Sequence, residues 1–305
     1  MKRILTLGVA LAAALFLVAP AVAAKSPYTA ASYVTGGSID QVVSKVKGAL
    51  GDAGFNVVGS YHPLGKGDRA VVVVTDPAML KAIKAHPTTD RGGHTIAGAG
   101  LRVGVYKPQK APAEVSYTNP TYLYSAYFQG DYSKVKSQAK DAQDRLQQAL
   151  GGIGQGAGKG FGGKVKELTH YHYMIFMPYF EDDIELATHS DFQSAVRAVR
   201  SNLGQGVAHT KKVYEVMMPG SKLAVFGVAM NGKKKGTPSW YPKLIQRHVA
   251  ALPYEVYVVG NKTYMLHGRY RIALSWPELT MATFSNIMDA PGNIEDVMRK
   301  VAGSD

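Results

Sequence analysis

The chain has 305 residues, contains no cysteine and carries a formal net charge of +13 at pH 7. The lack of cysteine excludes disulfides, thiolate metal ligands and a cysteine nucleophile. The positive charge favours anionic partners, such as phospholipid head groups, acidic polymers or an acidic protein. A chain of this length can bury two cores of ordinary domain size.

The first 24 residues have the composition of a secretory signal. Lys2 and Arg3 precede an apolar stretch at residues 4–18, and small residues surround Ala23 and Ala24. This order predicts cleavage after one of these two alanines and a location in the periplasm or outside the cell. Retention as a membrane anchor is the alternative; no later segment approaches the ~20 apolar residues that a transmembrane span needs. Nucleic acid is not expected as a partner of an exported protein.

Residues 25–150 are predicted to form a first α+β repeat with the order β-α-β-β-α-β-β-α, from apolar residues at strand or helix spacing. The predicted strands are Tyr28 to Val34, Phe55 to Tyr61, Ala70 to Thr75, Leu101 to Tyr106 and residues 113–118. The predicted helices begin after Ser38, after Asp76 and near Tyr132, the last one running to Leu150. The final two strands form a hairpin that stops at Asn119-Pro120, because proline has no N–H for a ladder.

Residues 151–165 are rich in glycine, with eight glycines in the thirteen residues 151–163. A phosphate-binding loop would follow a strand and end in Gly-Lys-Ser or Gly-Lys-Thr, whereas here Lys159 is followed by Gly160. The segment is therefore predicted to be a flexible linker.

Residues 166–305 are predicted to form a second α+β repeat. Its predicted strands are Tyr171 to Phe176, Val207 to Met217, Leu223 to Met230 and a hairpin within Tyr254 to Leu279. Three helices are predicted. The first begins after Asp191, the second begins at Thr237-Pro238, and the third, at the end of the chain, carries Ile294, Val297 and Val301. Trp276-Pro277 is interpreted as the counterpart of Asn119-Pro120. The chain is thus interpreted as a tandem duplication whose two repeats pair with each other.

Short motifs in both repeats resemble the bacterial family known as domain of unknown function 302. They are Gly54-Phe55, Asp76-Pro77 and Ser116 to Pro120 in the first repeat, and Gly236-Thr237-Pro238, Leu252-Pro253 and Ser275 to Pro277 in the second. The second repeat departs from the family pattern at Trp276. The resemblance implies an α+β fold, with a twisted, mainly antiparallel sheet packed by helices, and members that tend to pair. It implies no activity.

His170 and His172 are the candidate metal ligands. On a strand, alternate side chains point the same way, so the two imidazoles would share one face. With His189, Glu181, Asp182 or Asp183 as a further ligand, such a pair could hold divalent copper or zinc. The alternative is a polar strand edge with no metal.

Two further groups are candidates for ligand or partner contacts. Residues around the two proline motifs could line an interface or a pocket: Tyr117, Asn119, Pro120, Tyr122, Tyr124, Trp276 and Pro277. Lys233, Lys234 and Lys235 follow a turn pair and could contact an anionic partner or simply be solvated.

These observations favour a non-catalytic periplasmic protein that binds a small or anionic ligand or an envelope protein. A metal-dependent enzyme or metal-binding protein that uses His170 and His172 is the first alternative. A self-associating structural protein of the envelope is the second.

Overall fold

The computed structural model describes residues 24–156 and 158–304. All of the predicted signal sequence except Ala24 therefore lies outside the described residues. Within them the chain has the expected α+β class, with helices packed on two antiparallel sheets. No helix in these two ranges is long and apolar enough to cross a membrane.

The first sheet contains six strands in the order β2-β3-β4-β5-β1-β6. The strands are β1 (Tyr28–Val34), β2 (Asn56–Tyr61), β3 (Arg69–Thr75), β4 (Leu101–Tyr106), β5 (Ala113–Thr118) and β6 (Lys159–Phe161). The helices are α1 (Ile39–Asp52), α2 (Pro77–Ala85), α3 (Pro120–Phe128) and α4 (Lys136–Gly151). The predicted strands of the first repeat, including the hairpin β4–β5, are confirmed.

Local capping explains where these helices begin. Ser38 and Gln41 form a capping box at the start of α1, and the Asp76 carboxylate accepts the Ala78 N–H at the start of α2. Asn119 accepts the Thr121 N–H, and Pro120 takes the first turn of α3. The prediction that Asn119-Pro120 only ends a strand is therefore incomplete, because the same two residues begin α3.

The glycine-rich segment is not a free linker. Residues Lys159–Phe161 form β6, which pairs antiparallel with β1 at the sheet edge. Before it, Gln155 and Tyr33 exchange two backbone hydrogen bonds of 2.8 and 3.1 Å. The prediction of flexibility rested on composition, whereas β1 supplies an open row of backbone donors and acceptors that this segment satisfies.

The second sheet has five strands in the order β7-β11-β10-β9-β8. The strands are β7 (Ile184–Thr188), β8 (Thr210–Met217), β9 (Leu223–Met230), β10 (Tyr254–Val259) and β11 (Lys262–Met265). The helices are α5 (Phe192–Gln205), α6 (Thr237–Trp240), α7 (Gly268–Ser275), α8 (Met281–Phe284) and α9 (Ala290–Ala302). Asp191 caps α5 as expected, with its carboxylate accepting the Ser194 N–H.

Two predictions for the second repeat are wrong. Residues 171–176 form turns rather than a strand, and the residues around Ile272 form α7 rather than the closing strand of a hairpin. Helix α7 is buried on nearly all sides. The spacing of apolar residues in a short segment that is buried all round does not distinguish a helix from a strand. Pro277 consequently follows a helix, whereas Pro120 begins one, so the two proline motifs are not counterparts.

The strand orders of the two sheets correspond. From one edge, the first sheet has the order β2-β3-β4-β5-β1, and the second has the order β8-β9-β10-β11-β7. If the strands of each half are numbered from one to five along the chain, both sheets have the order 2-3-4-5-1. Irregularities of the pairing correspond as well. The edge strands β2 and β8 shift register after Val57 and Lys212 respectively, and the β1–β5 and β7–β11 pairs each contain one shift.

The two halves contact each other through matching parts. The 3-10 turn Val249–Ala251, which precedes β10, packs against β3, β4 and β5 of the first sheet. The 3-10 turn Thr95–Gly98, which precedes β4, packs against β9 and β10 of the second. Strands β2 and β8 also meet: a Cβ atom at Gly59 would lie 2.2 Å from the Val213 carbonyl oxygen.

Candidate functional site

A basic groove lies between the turn after α5, the loop after β9 and helix α9. Its cavity of about 640 Å³ is lined by Ala208, His209, Asn231, Gly232, Lys233, Lys234, Lys235, Asp296, Val297 and Lys300. The groove therefore contains the three lysines that the sequence analysis selects, together with a fourth lysine some 65 positions further along the chain.

The loop that carries the three lysines is tightly folded. The Asn231 N–H donates to the His209 carbonyl at 2.9 Å, and the Gly236 N–H donates to the Gly232 carbonyl at 2.8 Å. A Cβ atom at Gly236 would lie 2.5 Å from the Met230 carbonyl oxygen, so only glycine fits this closure without a shift of the backbone. The lysines are exposed on the outside of this turn, in agreement with the predicted loop tip.

The groove has an excess of positive charge. Lys235 pairs with Asp296 at 2.5 Å across the groove. Among the described residues, Lys233, Lys234 and Lys300 have no carboxylate within ion-pair distance. Four lysines and one aspartate give the lining a formal charge of 4 − 1 = +3, with the His209 ring exposed beside them. Such a surface attracts anions, and the attraction weakens as salt is added.

The basic surface continues towards the contact between β2 and β8. A second depression of about 530 Å³ shares Asn231 with the groove and includes Lys211, Lys212 and His62. Lys212 pairs with Glu215 at 2.8 Å, and His62 lies 3.0 Å from Asp40. Lysines 211, 233, 234 and 300 are thus the cations without an acidic partner along this part of the described surface.

His170 and His172 lie beside Tyr179 in an irregular segment rather than on a strand. Each imidazole packs on the ring of Tyr179, with centroid distances of 4.2 and 4.5 Å. The expectation of a shared strand face is wrong, because residues 171–176 are not a strand.

Of the other candidate metal ligands, Glu181 lies beside the pair, with its carboxylate 3.7 Å from His170 Nε2. The Asp182 carboxylate accepts the Tyr179 N–H at 2.9 Å, and His189 lies just after β7. Asp183 accepts hydrogen bonds of 2.6 Å from His94 Nδ1 and the Tyr257 hydroxyl. No group of three histidine, aspartate or glutamate side chains in metal-binding geometry occurs in residues 24–156 and 158–304.

The aromatic candidates are buried contacts rather than a pocket lining. Tyr122 lies in α3 and donates to the Leu274 carbonyl in α7 at 2.9 Å, which joins the two halves. Tyr117 and Tyr124 are buried in the first core, where Tyr117 donates to Gln147 at 3.2 Å. Trp276 is also fully buried. These side chains support packing and the contact between halves.

A buried ionic cluster lies between the sheets, and none of its residues is among the predicted site residues. Arg102 and Arg271 both bond the Glu255 carboxylate, and all three side chains are nearly inaccessible to solvent. The two arginines also donate to the carbonyls of Ala250 and Ala251 at 3.1 and 2.8 Å. The sequence offers one signal for this cluster: Arg102 and Glu255 are each the single charged residue of an otherwise apolar strand. Because a charged side chain is rarely buried without a partner, this pattern indicates that each residue has an oppositely charged neighbour.

Fold and site together define an α+β protein with two packed antiparallel sheets and a lysine-lined surface groove. No protein-family model matches the chain, and no curated protein matches it either.

Proposed function

We propose that this is a non-catalytic binding protein of the cell envelope that holds an anionic ligand in the basic groove. The observation that carries the proposal is the groove itself, with four lysines and one aspartate around about 640 Å³. That volume lies within the ~300–1,000 Å³ of small-molecule sites. The envelope location is the expectation from the N-terminal sequence.

The lining favours phosphate, carboxylate or sulfate groups as the recognised chemistry. A lysine ammonium group is a compact point charge that contacts such an oxyanion from many directions. Asp296 forms an ion pair with Lys235, so Lys233, Lys234 and Lys300 are available to contact the ligand. The hydrogen-bonded loop keeps Lys233 and Lys234 close together, so binding costs little conformational entropy of the backbone.

Calorimetric titration with inorganic pyrophosphate tests this proposal. Lys233→Ala combined with Lys234→Ala should weaken binding by about tenfold or more, because two charge-assisted contacts are lost. Lys45→Ala with Lys81→Ala removes the same charge from exposed helix positions in the first half and should have little effect. Equal losses in both double variants, or no binding by the wild type, would contradict a site at the groove.

We further propose that the two sheets are copies of one unit, related to the domain of unknown function 302 family and packed as an intramolecular pseudo-dimer. The corresponding strand orders, the matching register shifts and the reciprocal contacts of the two 3-10 turns support this proposal. Reciprocal use of the same surface is typical of a twofold interface.

A protease site inserted between Lys166 and Glu167, which are both exposed, tests the pairing. After cleavage the two fragments should remain together on size-exclusion chromatography, because the contacts between halves are buried. Separation into two folded, soluble fragments would argue against the pseudo-dimer.

A further inference from the structure

The most exposed apolar side chains of the described chain lie together on one turn. Phe176 is 93% exposed and Ile175 71% exposed, and Met174 beside them is 42% exposed. Soluble proteins expose single apolar residues widely, but a contiguous exposed apolar patch marks an interaction site.

Hydrogen bonds hold the turn in a defined conformation. The Met177 N–H closes it with a 3.0 Å hydrogen bond to the Met174 carbonyl, which also lies 2.8 Å from His172 Nδ1. The Tyr173 hydroxyl donates to the Leu279 carbonyl and ties the base of the turn to the body of the protein. Phe176 has a φ of 65°, a left-handed conformation that is unusual for a bulky residue. The chain thus holds this ring outward at some conformational cost.

The apolar surface extends beyond the turn. Tyr173 and Met177 border a shallow depression together with Arg269 and Met281. Met281 is 51% exposed, and Met288, which borders the next depression beside Arg269, is 63% exposed. The exposed residue Arg269 therefore borders both depressions, one with the turn residues and Met281 and the other with Met288.

We infer that the turn Met174 to Met177 inserts into the surface of an anionic phospholipid bilayer. Three consecutive apolar residues, Met174 to Phe176, are exposed on the turn, which suits entry into a soft interface. Tyrosine at its base and arginine at its side are residues that favour the boundary between head groups and acyl chains. Without Lys2 and Arg3 the chain still has a net charge of 13 − 2 = +11, which draws it towards an anionic surface. This inference is independent of the proposed ligand groove.

Vesicle co-sedimentation tests the inference on residues 24–305, so that the apolar N-terminal segment cannot cause binding. The vesicles contain phosphatidylglycerol and phosphatidylcholine in equal parts, or phosphatidylcholine alone. The wild type should bind the anionic vesicles more strongly. Ile175→Ser combined with Phe176→Ser should reduce that binding at least about tenfold. Val57→Ser, at an exposed apolar residue of β2, is the matched control and should bind like the wild type.

A fluorescence measurement tests insertion directly. Both native tryptophans, Trp240 and Trp276, are fully buried, so a Phe176→Trp variant would carry the one solvent-exposed indole of the described chain. Its emission should shift to shorter wavelength on addition of anionic vesicles and should be quenched by brominated acyl chains.

Several results would overturn the inference. These are a wild type that does not bind anionic vesicles, a double serine variant that binds as well as the wild type, and an unshifted Phe176→Trp emission with vesicles. Self-association through the turn in lipid-free buffer, without vesicle binding, would assign the surface to a second copy of the chain instead.

Discussion

Arg102 and Glu255 are the second residues of β4 and β10, strands that hold the same position in their sheets, and they bond to each other between the halves. In a dimer of two identical chains, equal charges at this position would lie close together. Two halves on one chain can differ, and here one half supplies the cation and the other the anion. Covalent linkage of the halves therefore permits a contact that exact twofold symmetry would forbid.

Glu255→Gln should destabilise the fold by about 3–5 kcal/mol, because Arg102 and Arg271 would lose the carboxylate that both bond in a buried site. Urea unfolding measures the effect. Glu185→Gln is the control, since Glu185 pairs with Lys262 at an exposed site and should shift the midpoint little. Similar midpoints for the two variants would show that the buried cluster contributes no more than a surface pair.

Gly59→Ala should destabilise the protein by roughly 1–3 kcal/mol, since the added Cβ would lie 2.2 Å from the Val213 carbonyl oxygen in β8. Gly48→Ala provides the contrast: this glycine lies inside α1 with open space around it, and alanine there should stabilise by about 0.5–1 kcal/mol. Thermal unfolding of both variants measures the difference. A neutral result at Gly59 would mean that β2 and β8 are not in close contact.

Raising the pH above about 10 should destabilise the fold. Burial raises the pKa of Tyr117 to about 12, and burial likewise raises the pKa values of Tyr124 and Tyr254 above the usual range. Unfolded tyrosines lose their protons near pH 10, while the folded protein keeps them. The stability from Tyr117 is thus complete below pH 10 and is lost as the pH rises through about 12.

Tyrosinate absorbance recorded together with circular dichroism checks this expectation. The buried tyrosines should titrate in the same steep step in which the secondary structure is lost. A single smooth titration of all tyrosines with the fold intact would contradict burial as the cause.

His170→Ala combined with His172→Ala should leave the heats of zinc and copper titration unchanged, because no group of three histidine or carboxylate side chains in metal-binding geometry occurs among the described residues. Calorimetry on the wild type and the double variant checks this directly. Stoichiometric binding by the wild type that disappears in the variant would show that the two imidazoles bind a metal ion. Tyr179→Ala is a companion variant, since it removes the ring on which both imidazoles stack and so tests whether that stacking limits metal binding.

Local features of the sequence determined much of the first half and part of the second. Ser38, Asp76 and Asp191 cap helices where they were predicted, because a side-chain oxygen two or three residues before an N–H acts within one turn of the chain. The alternation in Leu101–Tyr106 likewise predicted β4, since strand spacing puts alternate side chains on one face. The loop of Lys233 to Lys235 was predicted as exposed for similar local reasons.

Only the tertiary structure decided the remainder, because it depends on partners distant in the chain. The edge strand β6 forms because β1 offers unpaired backbone N–H and C=O groups. Helix α7 is buried on nearly all sides, so its sequence lacks the helical alternation of apolar and polar residues. Lys300 and Asp296 join the lysine loop only when α9 packs beside it. Arg102 can be buried only opposite Glu255, 153 positions away, since an unpaired charge would cost too much to desolvate.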